Sequence, residues 1–175
     1  MPFSTGVLGM TGRWRPMIVA DLTFVERIAE IVHPAYPESE EVPAERLALF
    51  PAGCLIAEGA RGEVLGYAVS HPGRLGWPPA LDSRLDELPS DADCLYLHDV
   101  ALLPEARGLG LGESLVDLLR ALGVRSGLKV LALTAVNRST SYWRRQGFSD
   151  YSGDGILAAK LASYGDDAVY MISEV

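Results

Sequence analysis

Residues 95–112 read LYLHDVALLPEARGLGLG, and the fold is decided by this stretch. Leu95 to Leu103 is apolar apart from His98 and Asp99. A continuous apolar run of this length suits a strand buried on both faces, in the middle of a sheet flanked by helices. Pro104-Glu105-Ala106 ends the run, and Arg107-Gly108-Leu109-Gly110-Leu111-Gly112 follows. Beyond it Leu115, Val116, Leu118, Leu119 and Leu122 form the inner stripe of a helix, with Gly127 as its stop. Three glycines between a buried strand and a helix start leave backbone N–H groups uncovered by side chains. Together with the helix dipole they make a concave site for an anion, typically a phosphate. The spacing excludes a P-loop, since no lysine follows, and the third glycine is misplaced for GxGxxG. What remains is [Arg/Gln]-x-x-Gly-x-[Gly/Ala], met by Arg107, Gly110 and Gly112. A tight turn needing positive φ would use the same residues.

Upstream, Arg13 to Val19 reads as a strand and Asp21 as the N-cap of a helix running to Val32. Leu22, Val25, Ile28, Ala29 and Val32 give that helix one apolar face. A second helix fits Ala44 to Phe50. Cys54 to Glu58 and Val64 to Ser70 pair as a hairpin across residues 59–63. From His71 to Asp93 the pattern dissolves into prolines and charge, five acids against Arg74 and Arg84. A loop this long suits a substrate-facing wall or a surface insertion. Downstream, Lys129 to Ala135 is a strand, Ser139 to Gln146 a short helix, Ile156 to Ser163 a weaker one, and Ala168 to Ser173 a last strand. The order is that of one α/β domain with a mixed sheet over residues 13–175, after a flexible arm at 1–12.

The chain has 175 residues, 49% hydrophobic and 22% charged, with a formal net charge of −8. That is one domain of ordinary globular composition. An acidic chain repels phosphate backbones, which argues against a nucleic-acid partner. No apolar run approaches the ~18–20 residues of a bilayer span, and Met1 to Thr11 lacks the pattern of a secretory signal. The cytoplasm is the default. Cys54 and Cys94 have neither CxxC nor metal-type spacing and read as buried free thiols, with no metal site.

The strand end Val100 to Leu102, the glycine turn and its helix are followed, 25 residues beyond Gly112, by Asn137 and then Tyr142-Trp143-Arg144-Arg145-Gln146-Gly147-Phe148. In order and spacing this set resembles the GNAT superfamily of acyl-CoA-dependent N-acetyltransferases. The resemblance is strong over Leu95 to Phe148 and weaker over Arg15 to Val32. It implies a mostly antiparallel twisted sheet and acetyl-CoA as co-substrate. By resemblance, Gly108, Leu109, Gly110, Leu111, Gly112 and Glu113, with Arg107, hold the pyrophosphate. Val100, Ala101 and Leu102 pair with the pantetheine arm as an added strand would, and Asn137 contacts it or caps the helix at Ser139.

Acetyl transfer to an amine needs a neutral nucleophile, a polarised carbonyl and a proton for the leaving thiolate. No Ser-His-Asp or Cys-His pairing is apparent, so direct attack is preferred to a covalent intermediate. Strand alternation puts Tyr96, His98, Val100 and Leu102 on one face, with Leu97, Asp99 and Ala101 on the other. Histidine as a residue type changes charge near neutral pH, which makes His98 the candidate base. The family's usual tyrosine, four residues before Gly147, is Trp143 here, and Tyr142 lies about 100° away around the helix. Either Tyr142 reaches the sulfur as the acid, or Trp143 packs there and water protonates the thiolate. The acidic loop at 71–93 favours a cationic acceptor amine, and a homodimer stays open. A catalytically silent acyl-CoA-binding module is the alternative function.

Overall fold

In the computed structural model, which describes residues 11–175, one sheet runs through the molecule in the order β1-β2-β3-β4-β5-β7-β6. The strands are β1 (Arg13–Pro16), β2 (Cys54–Glu58), β3 (Val64–Gly73), β4 (Cys94–Leu102), β5 (Val130–Ala135), β6 (Ser149–Asp150) and β7 (Val169–Glu174). The helices are α1 (Leu22–Val32), α2 (Glu41–Leu49), α3 (Leu111–Arg125), α4 (Thr140–Arg145) and α5 (Gly155–Leu161). Only β4 and β5 pair in parallel; the other neighbours are antiparallel. The expected mixed, mostly antiparallel α/β domain is therefore the observed one. No helix among the described residues is long and apolar enough to cross a membrane. Residues 1–10, most of the expected arm, lie outside the described residues.

Apolar periodicity explains both layers. On one face Leu95 and Leu97 of β4 and Leu131 and Leu133 of β5 pack under Leu115, Val116, Leu119 and Leu122 of α3. On the other, Val25 and Ile28 of α1 cover Tyr67, Val69 and Ala101. At roughly 1.5–3 kcal/mol for each fully buried aliphatic side chain, these two layers dominate the folding energy. Leu118 is an exception to the expected stripe, because it faces solvent.

Several boundaries differ from expectation for local reasons. β1 stops at Pro16, which has no N–H for the ladder, and residues 19–21 form a single 3₁₀ turn. Asp21 does not cap α1 with its side chain. Its carboxylate accepts from the Ile18 amide at 2.8 Å and binds the Arg15 guanidinium at 2.7 and 2.8 Å. α2 begins at Glu41, ahead of Pro43, since a proline in the first turn removes no helical bond. β3 continues through Pro72 to Gly73, where its neighbour β2 has already ended. The two-residue β6 is too short to show any periodicity.

His71 on β3 is buried; its Nδ1–H donates to Pro72 O at 2.8 Å, and its pKa is pushed down to about 3 by burial. In the unfolded chain the same ring takes a proton near pH 6.5. The unfolded state therefore holds one more proton between about pH 6.5 and 3, and native stability falls as the pH drops through that window. The expected contribution is about 1.4 kcal/mol per pH unit. Urea unfolding of wild type and His71→Phe across this range measures it: the difference between the two slopes should equal one proton.

Candidate active site

The site begins with one irregularity in β4. β3 pairs Val69 with Asp99 but Ser70 with Leu97, so His98 is the extra residue of a β-bulge. Bulges bend a strand and re-aim its side chains. Strand alternation would put His98 and Asp99 on opposite faces; the bulge cancels that, and both line one cleft. The parallel ladder of β4 and β5 stops at the same level. Leu95, Tyr96 and Leu97 pair with Leu131, Ala132 and Leu133, after which β5 continues only with β7. The strands part, and the β4 edge beyond Leu97 faces a cavity of about 570 Å³.

That cavity collects half of the candidates. His98, Val100, Leu102, Gly112, Asn137, Tyr142 and Trp143 line it together. Ala101 and Leu111 do not: both are buried, Ala101 under α1 and Leu111 against Trp14, whose Nε1–H donates to Leu111 O at 2.9 Å. Arg107, Gly108, Leu109, Gly110 and Glu113 lie outside the cavity lining, on the turn and the first turn of α3. Gly108 and Gly110 have φ of +77° and +69°, where L side chains are strained, and a Cβ on either would meet nothing within 4 Å. The turn is thus a left-handed kink with open space where side chains would stand. The first amides of α3, with no partner inside their own helix, lie next to it. Arg107 is exposed and forms no ion pair among the described residues.

The two adjacent aromatic residues of α4 both line the cleft but are buried to different depths. Trp143 is taken into the core, edge-on to Phe148 with centroids 5.5 Å apart. Tyr142 is half-buried, and a Cβ on Gly112 would collide with its hydroxyl. The absence of that methyl group lets the phenol reach the first turn of α3. Burial first, and the charge of Glu113 second, raise the Tyr142 pKa above its ordinary value, so the phenol keeps its proton at neutral pH. Asn137 and Arg138 both have positive φ, at +54° and +57°, a strain of the kind that gathers at functional sites. Asn137 does not cap α4; Ser139 stands at that position, its hydroxyl donating to Val136 O at 2.6 Å.

Several polar residues of the cleft have no signal in the sequence. Glu38, between α1 and α2, accepts from His98 Nε2 at 2.8 Å through Oε1 and from the Asp82 amide at 3.0 Å through Oε2. Because an ionised carboxylate only accepts, Nε2 carries the hydrogen of this bond, and in the neutral ring Nδ1 then holds the lone pair. Nδ1 has no partner among the described residues, in a side chain only 3% exposed. Asp99 accepts from Tyr67 Oη at 2.6 Å and lies 3.3 Å from His33 Nε2, which also donates to Val100 O at 2.9 Å. Burial opposes charge on both His33 and Asp99, but their attraction outweighs it: the His33 pKa is raised and that of Asp99 lowered. Glu38 and His33 sit in a proline-containing segment that reads only as a helix stop, and no local signal marks either.

The acidic loop takes a different part from the one expected. Asp82 accepts from the Ser39 amide and Asp93 from the Leu75 amide, both at 2.7 Å, while Asp86 and Asp91 bind Arg84 and Arg74. Its acids tie the loop down, and of its residues only Leu81 lines the cleft. The carboxylates lining the cleft are Glu26, Glu30, Glu38, Glu40 and Asp99, and no lysine or arginine among the described residues lines it.

A family model described as the acetyltransferase (GNAT) family matches residues 25–148. The chain belongs to that family of acyl-CoA-dependent acetyltransferases. Solved structures agree on the fold. Ard1 from Thermoplasma volcanium superposes with a TM-score of 0.68 at 16% identity, covering 94% of this chain and 98% of that one. The Escherichia coli ribosomal-protein-S18-alanine N-acetyltransferase gives 0.62 at 16%, with 94% of each chain covered. GphF, a GNAT-like decarboxylase solved with isobutyryl-CoA, gives 0.72 at 14%, covering 93% and 98%. Among curated proteins, none matches the sequence.

Proposed function

We propose that the protein transfers the acetyl group of acetyl-CoA to a primary amine of a cationic acceptor, by direct attack within a ternary complex. The observation that carries this reading is the His98–Glu38 pair at the mouth of the parted strands. The residues fit the co-substrate: the turn at Gly108 and Gly110 has open space where side chains would stand, room for a pyrophosphate beside the first amides of α3. The free edge of β4 from Val100 to Leu102 offers main-chain groups to an extended arm. Val100 O already accepts from His33 but keeps a second lone pair. Acetyl-CoA supplies a thioester, an activated acyl group whose thiolate is a fair leaving group.

The residues of the chain divide the remaining work. His98 Nδ1 takes a proton from the acceptor's ammonium group, and Glu38 stabilises the imidazolium that results. The neutral nitrogen forms the new C–N bond as the C–S bond breaks. Tyr142 gives its proton to the departing sulfur, the proton shed by the new amide nitrogen passes through water to the Tyr142 phenolate, and His98 releases the proton it took to solvent. Tyr142→Phe should lower kcat by about tenfold or more, at the low end of general-acid effects because the thiolate leaves readily. Its acetyl-CoA affinity should stay within about twofold; stopped-flow turnover beside calorimetric titration reads both.

The reading is tested by incubating the protein with acetyl-CoA and a panel of amines while free thiol is followed. Thiol should appear only when a primary amine is present, with the acetylated amine seen by mass. Binding of acetyl-CoA without amine-dependent thiol would mark a silent acyl-CoA-binding module instead.

A further inference from the structure

One imidazole joins the end of α1 to the free edge of β4. The helix closes at His33, whose amide donates to Ala29 O at 2.8 Å. The ring Nε2–H is shared by two acceptors just past the bulge, Val100 O at 2.9 Å and Asp99 Oδ1 at 3.3 Å. The other oxygen of Asp99 takes the hydroxyl of Tyr67 at 2.6 Å, and Tyr67 is fully buried on β3. Both carboxylate oxygens are thereby engaged, and side chains from three elements converge on one carbonyl. That carbonyl has a defined direction. Leu103 N donates to Leu65 O at 2.8 Å across the β3–β4 ladder, in which Ala101 faces Tyr67 and Asp99 faces Val69. Along an antiparallel strand the main-chain groups alternate sides, so residues 99, 101 and 103 turn theirs to β3. Val100 and Leu102 turn theirs to the opposite edge, where β5 has parted.

From this geometry we propose, resting on the acetyl-CoA reading above, that His33 is a positioning residue for the co-substrate's arm. Oriented by Asp99 and Tyr67, its N–H fixes the Val100 carbonyl so that the second lone pair meets an amide of the arm. A carbonyl at the end of a splayed strand has lost the neighbouring strand that would hold its plane. His33 supplies the missing donor from outside the sheet. The same N–H answers the charge of Asp99, a carboxylate that lines the cleft. Without His33 that charge lies without a cationic partner, beside a co-substrate that is itself an anion. No proton changes place in this role. The contact exists before and during transfer, so its loss shows in acetyl-CoA binding and leaves kcat nearly unchanged.

Calorimetric titration with acetyl-CoA and steady-state kinetics are compared for wild type, His33→Phe, His33→Gln and Tyr67→Phe, with circular dichroism and urea unfolding for each. Phe keeps a ring without the N–H. It should raise both Kd and KM for acetyl-CoA by about tenfold, the low end for a hydrogen bond to a charged group. The kcat and the amine KM should stay within about threefold. Gln carries an N–H at about the reach of Nε2 and should restore the acetyl-CoA Kd to within about threefold of wild type. Tyr67→Phe only loosens Asp99 and should raise Kd by about threefold. Combined with His33→Phe it should add little, since both act through one carboxylate. A ring that merely staples α1 to β4 would lower the unfolding free energy of His33→Phe and leave its acetyl-CoA Kd at the wild-type value, which overturns the inference. Tighter binding by His33→Phe also overturns it, because His33 would then compete with the arm for the carbonyl. Should His33→Phe not fold, Tyr67→Phe decides, and an unchanged Kd overturns. Expected shifts without amine-dependent thiol would overturn acetyltransfer and leave the positioning of the arm standing. Absence of acetyl-CoA binding by the wild type would overturn both.

Discussion

His98→Gln is expected to keep acetyl-CoA binding and to lower kcat/KM for the amine by about 10²–10⁴-fold, the range a positioned base supplies. At pH 7 only about one alkyl amine in a few thousand is neutral, so removing the ammonium proton inside the cleft governs the rate. Three features suit His98 to that proton transfer. It lines the cleft, Glu38 fixes its tautomer, and its Nδ1 is without another partner among the described residues. Gln has comparable size and polarity and can still meet Glu38, so the loss reports the missing base rather than a collapsed wall. The acidic limb of the kcat/KM profile should vanish along with the rate. Wild-type rates with the limb intact would make His98 a structural residue held by Glu38.

Gly110→Val is expected to abolish the stabilisation that acetyl-CoA confers. For the wild type, ligand at about 100 times its Kd should add about 2.7 kcal/mol to the unfolding free energy. In a domain of this size that is a rise in Tm of roughly 5–10 °C. Gly110 stands at the start of α3 with φ of +69°, and the space around its missing Cβ is open. Valine forces a left-handed backbone that costs roughly 1–2 kcal/mol and places two methyl groups where a phosphate would lie. The variant should fold with a somewhat lower Tm and show no acetyl-CoA shift. ATP and NAD should shift the wild type far less. A full acetyl-CoA shift in Gly110→Val, or an ATP shift as large as that of acetyl-CoA, would place the pyrophosphate elsewhere.

The parts of this molecule that can be read from its residues are those set by neighbours in the chain. The β4–turn–α3 unit follows from an unbroken apolar run, three glycines and a 3.6-residue stripe, all within about thirty positions. The orientation of His98 and Asp99 does not follow, because the bulge exists only in the register between β4 and Val69–Ser70 of β3. Glu38 meets His98 across 60 residues of sequence, and nothing local to either residue announces the other. The aromatic pair is illegible for a related reason. How deeply each of two adjacent helical positions sits depends on how α4 rolls, and the packing of Trp143 against Phe148 takes that ring into the core. The loop at 74–93 stands out by its length, but its charges serve anchorage, a role visible only once Asp82, Asp86, Asp91 and Asp93 have their partners.

The single extra residue in β4 constrains how such a protein can change over generations. Removing one residue at position 98 would let β3 and β4 zip in unbroken register. The strand would straighten, and the separation from β5 would begin to close. The proton-handling side chain and the gap that admits a thioester would be lost in one event. Gradual erosion of activity by drift at His98 alone leaves the gap, and with it a scaffold on which a different acid or base can arise. Length at this point of the strand is therefore under tighter constraint than residue identity, and descendants of this chain can trade chemistry far more easily than they can trade the kink.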